Sequence, residues 1–115
     1  MQPITSSTVT AMISDMDASI KFYTEVLGLK LKNNYGGHYA EIDAPGLVIG
    51  LHPGGKAGQK TSGLSIGFMV TDFDAWVEDL KQKGVDAKTI NDGWSRLCAF
   101  TDLDGNDIYL SEQKG

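Results

Sequence analysis

The sequence predicts an α+β fold in which one βαβββ module is used twice, and two repeats carry that prediction. Ser14-Asp15-Met16-Asp17-Ala18 returns 57 residues later as Thr71-Asp72-Phe73-Asp74-Ala75. Each copy follows an apolar run, Val9–Ile13 and then Ile66–Val70, and opens a helical pattern. Further on, Gly46-Leu47-Val48-Ile49-Gly50-Leu51 is echoed after 59 residues by Gly105-Asn106-Asp107-Ile108-Tyr109-Leu110. A period near half of a 115-residue chain means one supersecondary unit repeated. A half of about 57 residues is marginal alone, so the halves share an interface or pair with a second chain.

The elements follow in order. Thr8–Ile13 alternates between polar or small and apolar residues, as a strand does. Asp15 or Asp17 can cap the helix that follows, whose apolar positions Ile20, Tyr23, Val26 and Leu27 recur at helical spacing. Gly28 stands where that helix needs a left-handed terminator. Leu29–Lys32 reads as a second strand, Gly36-Gly37 as a turn, and Tyr39–Asp43 and Leu47–His52 as strands joined by Ala44-Pro45-Gly46. Pro53–Ser62 has no apolar periodicity and reads as a flexible connection. Leu64–Val70 starts the second module. Asp72 or Asp74 caps a helix with Trp76, Val77 and Leu80 on its apolar face, ended by Gly84. Ala87–Ile90, Trp94–Thr101 and Asn106–Ser111 complete eight strands and two helices, with the last hairpin turn at residues 102–106. The chain is read as one domain, 1–115, with module one at about 1–53, a linker at about 53–62 and module two at about 63–115.

Composition excludes several classes of function. The chain is 41% apolar and 22% charged, as globular proteins are, with a net charge of −5. No basic cluster offers a nucleic-acid footprint. One cysteine, Cys98, leaves no internal disulfide and no multi-cysteine zinc site. With no signal peptide, no apolar stretch of about 18 residues and no lipidation motif, the expectation is a cytoplasmic protein without membrane contact.

Strand parity sorts the faces. Val9, Ala11, Ile13, Ala40, Ile42, Ile49, Leu51, Leu64, Ile66, Phe68, Val70, Leu97, Ala99, Ile108 and Leu110 are placed under the helices. The opposite face takes Thr8, Thr10, Met12, Tyr39, Glu41, Val48, Gly50, His52, Ser65, Gly67, Met69, Arg96, Cys98, Phe100, Asp107 and Tyr109. That face mixes hydroxyls, charges and aromatics, which suits a concave site for a small organic molecule.

The run Phe22-Tyr23-Thr24-Glu25-Val26-Leu27-Gly28-Leu29, after Asp15-Met16-Asp17-Ala18-Ser19 and with the late Thr101-Asp102-Leu103-Asp104-Gly105-Asn106, resembles the vicinal oxygen chelate superfamily. That group includes glyoxalase I, extradiol dioxygenases, and the fosfomycin- and bleomycin-resistance proteins. The resemblance implies a glyoxalase/bleomycin-resistance-like fold, its two modules forming a curved eight-stranded sheet around a cleft, and a homodimer. It also implies a divalent metal held by one residue from the first and fourth strands of each module, usually His or Glu. Those positions here are Thr8, Gly50, Ser65 and Tyr109. None is His, Glu or Asp. Glycine has no donor, and neutral hydroxyls compete poorly with water for a transition metal. The expectation is no metal and no other cofactor. The weaker alternative is a divalent metal displaced to His52 and Glu41, with Asp107 or His38 as a third ligand.

The ligand-binding candidates are Thr8, Thr10, Tyr39, Glu41, Gly50, His52, Ser65, Trp94, Arg96 and Tyr109. Two readings stand for Arg96 and Glu41: Arg96 grips a ligand carboxylate or phosphate while Glu41 orients a hydroxyl or amine, or they pair with each other or lie on the rim. Tyr109 either offers its phenol to a ligand or only packs, and Trp94 is either an aromatic wall or a rim residue. His52 is a candidate or a half-exposed histidine before Pro53. Cys98 reads as inert, and Tyr23 and Trp76 as core. Two functions remain open, with no catalytic residue assigned to either. One is metal-free binding of a small organic ligand by a homodimer, as in sequestration or resistance. The other is a lyase, isomerase or dioxygenase-like enzyme using a displaced metal or acid–base chemistry through Glu41, His52 or Tyr109.

Overall fold

Among the described residues, eight strands form two four-stranded mixed sheets with the same internal order. The computed structural model describes residues 8–54, 64–91 and 96–112. In the first sheet β1 (Thr8–Ile13), β2 (Lys30–Asn34), β3 (Ala40–Ala44) and β4 (Leu47–Pro53) lie in the order β1-β4-β3-β2. In the second β5 (Ser65–Val70), β6 (Lys88–Asn91), β7 (Arg96–Thr101) and β8 (Asp107–Glu112) lie in the order β5-β8-β7-β6. The first strand of each module runs parallel to the fourth, and the remaining pairs are antiparallel. The tandem βαβββ architecture is therefore present, as two sheets. The chain divides into two units, Met1–Gln59 and Lys60–Gly115.

In the first unit, α1 (Met16–Lys21) starts at Asp15, whose carboxylate accepts from Ala18 N at 3.1 Å. That cap satisfies one of the first-turn amides. The helix does not continue as an α-helix: Phe22–Val26 form a π-helical turn, with Leu27 N–H donating to Phe22 O at 3.3 Å. Thr24 Oγ1 donates to Ile20 O at 2.8 Å, a side-chain bond that draws on the helix's own carbonyls and bends it. Gly28, at φ +73°, then ends the element. Ala11, Ile13, Tyr23, Ala40, Ile42, Ile49 and Leu51 make the core between this helix and the sheet.

The second unit has an unbroken helix, α2 (Phe73–Gln82). Asp72 occupies the N-cap without a side-chain bond, and Asp74 is used elsewhere. At the other end Val85 N–H reaches Leu80 O at 2.9 Å and Gly84 N–H reaches Lys81 O, a Schellman closure around Gly84. Phe73 and Leu80 are the fully covered side chains of this helix, while Trp76 and Val77 are half-buried. They pack with Ile66, Val70, Ile108 and Leu110, each worth roughly 1.5–3 kcal/mol of transfer free energy when buried.

Leu64, expected under the helix, instead precedes β5 and is 75% exposed, and one whole strand departs from the expected faces. In β7 it is Cys98 and Phe100 that are buried, paired with Leu110 and Ile108, while Leu97 and Ala99 pair with Ser111 and Tyr109 on the open face. The run Leu97-Cys98-Ala99-Phe100 is apolar at both parities, so alternation does not sort it, and the larger Phe100 takes the core in preference to Ala99. Arg96 shares the parity of Cys98 and Phe100, and it leaves the open face with them. Among the described residues no helix is long and apolar enough to cross a membrane.

Candidate functional site

The open face of the first sheet is built from rows of paired residues. Thr10 pairs with Gly50, Gly50 with Glu41, and Glu41 with Asn33, so four side-chain positions run straight across the sheet. Thr8 and Met12 flank that row on β1, beside Val48 and His52 on β4. Tyr39, immediately before β3, lays its ring over Gly50: a β-carbon added at Gly50 would lie 2.9 Å from Tyr39 Cζ. Side-chain space at that position is taken by the phenol. Tyr35 stacks on Tyr39 with ring centroids 6.2 Å apart and planes at 17°. The His52 ring lies 6.3 Å from Tyr39 on a tilt of 60°. His52 Nδ1 is 2.6 Å from Pro53 O, and because a carbonyl only accepts, that nitrogen carries the proton in this contact.

Glu41 is held on one side. Its Oε1 accepts from Asn33 Nδ2 at 3.0 Å and from Tyr35 OH at 3.3 Å. The Tyr35 phenol is pushed above its ordinary pKa, first by desolvation and then by the charge and hydrogen bond of Glu41. Sequence reasoning missed Asn33 and Tyr35. A bulge between Leu31 and Asn33 breaks the alternation that assigned β2, and Tyr35 lies in the turn beyond it. The one readable signal was the length of the hairpin around Gly36-Gly37, which brings Asn33 opposite Glu41.

The second sheet has its own row, Gly67–Tyr109–Ala99–Lys88. Here the tyrosine is on the fourth strand, and its ring leans across Gly67 on the first: an added β-carbon there would be 2.7 Å from Tyr109 Cε2. Ser65 lies two pairs further along on the same face, opposite Asp107. Both sheets thus place a tyrosine ring over a glycine on the open face. The atoms met at Gly67 are the far end of a ring that is 36% exposed, so it can swing aside. Gly67→Ala is accordingly expected to change stability by less than about 1 kcal/mol while displacing the Tyr109 ring. Thermal unfolding together with the ring resonances checks this. A loss above about 2 kcal/mol would show the ring to be locked.

Arg96 is not part of this face. Its guanidinium takes Glu112 with Nη2 to Oε2 at 2.6 Å and Nε to Oε1 at 3.1 Å, and Asp74 with Nη1 to Oδ1 at 2.9 Å. It also lies 4.7 Å over the Phe73 ring. Glu112 and then Asp74 raise its pKa above the usual arginine value. These partners fasten α2 to the edge of the helix-side face, so Arg96 fits a tie between elements rather than a ligand grip. Cys98 is buried, and burial pushes its thiol up, as the inert reading expected. Trp94 lies outside the described residues.

The donor set does not fit a metal at the four strand positions. Gly50 offers no atom and is covered by Tyr39, Thr8 and Ser65 offer neutral hydroxyls, and Tyr109 a phenol turned onto Gly67. Among the described residues no three of His, Cys, Asp or Glu converge closely enough to hold a metal ion. Elsewhere in the first unit, Gly28, Leu29, Lys30, Asp43, Ala44, Pro45 and Gly46 line an open groove of about 410 Å³ that contains none of the candidates.

A family model described as the Glyoxalase/Bleomycin resistance protein/Dioxygenase superfamily matches residues 6–110. Solved structures agree in fold. The fosfomycin resistance protein FosX from Listeria monocytogenes, in a mutant complexed with Mn(II) and 1S,2S-dihydroxypropylphosphonic acid, is 20% identical, with 98% of this chain and 93% of that chain covered and a TM-score of 0.82. FosX from Mesorhizobium loti is 17% identical over 98% and 95% of the two chains, with a TM-score of 0.76. Lactoylglutathione lyase from Agrobacterium tumefaciens is 18% identical over 96% and 95%, with a TM-score of 0.77. At such identities the likeness is one of fold. No curated protein matches the chain.

Proposed function

Because this chain belongs to the glyoxalase/bleomycin resistance protein/dioxygenase superfamily, we propose that it is a member that binds a small organic molecule without a metal ion, acting by sequestration as a cytoplasmic homodimer. The observation that carries this reading is the donor set at Thr8, Gly50, Ser65 and Tyr109. Three neutral hydroxyls and a glycine cannot replace the imidazole and carboxylate donors that divalent first-row metals select. Tyr39 over Gly50 supports it further, since restoring a ligand there requires the ring to move first. The open faces carry hydroxyls, aromatic rings and, at Glu41, a carboxylate held by Asn33 and Tyr35, which are binding groups.

Thermal unfolding separates this reading from its rival. Saturating Mn(II), Ni(II), Zn(II) or Fe(II), and EDTA, are each expected to leave the Tm within about 1 °C. An organic ligand at about 100 times its Kd is expected to stabilise the chain by roughly 2.7 kcal/mol. A rise in Tm with one metal, reversed by EDTA, would overturn the proposal.

A further inference from the structure

The arrangement around Glu41 has a chemistry more specific than small-molecule binding. Its Oε1 is occupied twice, by Asn33 Nδ2 at 3.0 Å and Tyr35 OH at 3.3 Å, which fixes the plane of the carboxylate. Among the described residues its Oε2 has no hydrogen-bond partner, and no Lys, Arg or His pairs with it. The other charged groups of β2 and β3 are Asp43, two residues along β3 on the same face, Lys30, whose register partner is Asp43, and Lys32, the exposed bulge residue beside Asn33, which makes no ion pair with Glu41. Glu41 is half-buried, so a carboxylate partly withdrawn from water keeps one oxygen open.

Aromatic rings lie on the same side of the site as the Tyr35 hydroxyl that holds Oε1. Tyr35, 55% exposed, stacks on Tyr39 on one side and leaves its outer face bare, and the His52 ring flanks Tyr39 on the other. The negative faces of tyrosine rings attract cations, and a carboxylate gives the directional bond that a ring cannot. A neutral donor can bond Oε2 but forgoes the charge-assisted bond, and an anion would meet Glu41 and Asp43 together.

We propose that the open face of the first sheet is a subsite for organic cations, in which Glu41 Oε2 accepts from an amidinium or protonated amine and the Tyr35–Tyr39 pair holds the attached planar group. This rests on the binding reading above and names the class of ligand it takes. Thr10 and the Tyr39 phenol, beside Gly50 in the same row, bound the subsite toward β1.

The test is a ¹H–¹⁵N NMR titration of the full chain with benzamidinium chloride, and with benzamide as its neutral near-isostere. Benzamidinium is expected to shift the amides of Asn33, Tyr35, Glu41 and Gly50, and to bind at least about tenfold more tightly than benzamide. Glu41→Gln is expected to remove that difference, and Tyr35→Leu to weaken both probes. Tyr35 is exposed, so that variant folds, and an unchanged Tm verifies it. Equal affinity for the two probes, an unaltered preference in Glu41→Gln, or shifts confined to other residues would each overturn the subsite. Loss of benzamidinium binding in a chain shown to be free of metal rejects the subsite alone. Stoichiometric metal in a chain that still prefers benzamidinium rejects the metal-free reading alone.

Discussion

Asp102→Ala is expected to destabilise the protein by about 3 kcal/mol and to lower its Tm by roughly 10 °C. Asp102 is 5% exposed and organises the β7–β8 turn from inside. Its Oδ1 accepts from the backbone amides of Asp104 and Asn106, both at 2.9 Å, and its Oδ2 accepts from Asn106 Nδ2 at 2.8 Å. The Asp102 amide closes the loop on Asn106 O at 3.0 Å, and Gly105 supplies the positive φ of 83°. Alanine would leave these buried donors without their acceptor, at about 1–3 kcal/mol for each group not rescued by water. Asp102→Asn keeps one oxygen for the two amides but turns an NH₂ toward that of Asn106, and an intermediate loss is expected. Chemical denaturation of the three proteins checks the order. Equal stability of Asp102→Ala and the parent would refute the assignment. The turn sets the β7–β8 register that brings Tyr109 opposite Ala99, so the effect reaches the second open face through the hairpin.

Tyr23→Ala is expected to cost about 4 kcal/mol, within the range for deleting a buried aromatic ring. Tyr23 is fully buried, makes an edge contact with Phe22 at 5.6 Å, and sits in the π-helical turn. Its carbonyl accepts from Leu29 N–H at 3.1 Å, closing the helix one residue wider than Leu80 and Val85 close α2. Tyr23→Phe, which keeps the ring, is expected to lose far less. Denaturant midpoints measure both, and near-equal losses would place the energy in the hydroxyl instead of the packing.

The sequence revealed those parts of this structure that depend on short-range pattern. β1, β3, β5 and β8 carry their large aliphatic residues at one parity, and the two internal repeats pointed to the module and to the equivalence of Gly50 with Tyr109. Alternation failed where its premise failed. β2 contains a bulge, and β7 is apolar on both faces, so Arg96 was assigned to the wrong face. The π-helical turn was not legible because apolar spacing over so few residues does not separate α from π winding. Asp74 meets Arg96 across 22 residues, and no local periodicity reports such a pairing. At the site, the unsuitability of Thr8, Gly50, Ser65 and Tyr109 as metal ligands could be read from residue type alone. The rings lying over Gly50 and Gly67, and the one-sided grip on Glu41, required coordinates, because they depend on where long side chains point.

Elemental analysis tests the central claim most directly. The protein would be purified without chelator, then dialysed first against mixed Ni(II), Mn(II), Fe(II) and Zn(II) and next against metal-free buffer. Less than about a tenth of an equivalent of any metal per chain is the predicted result. Retention of close to one equivalent, lost on Glu41→Ala or His52→Ala, would contradict it and establish a displaced metal centre.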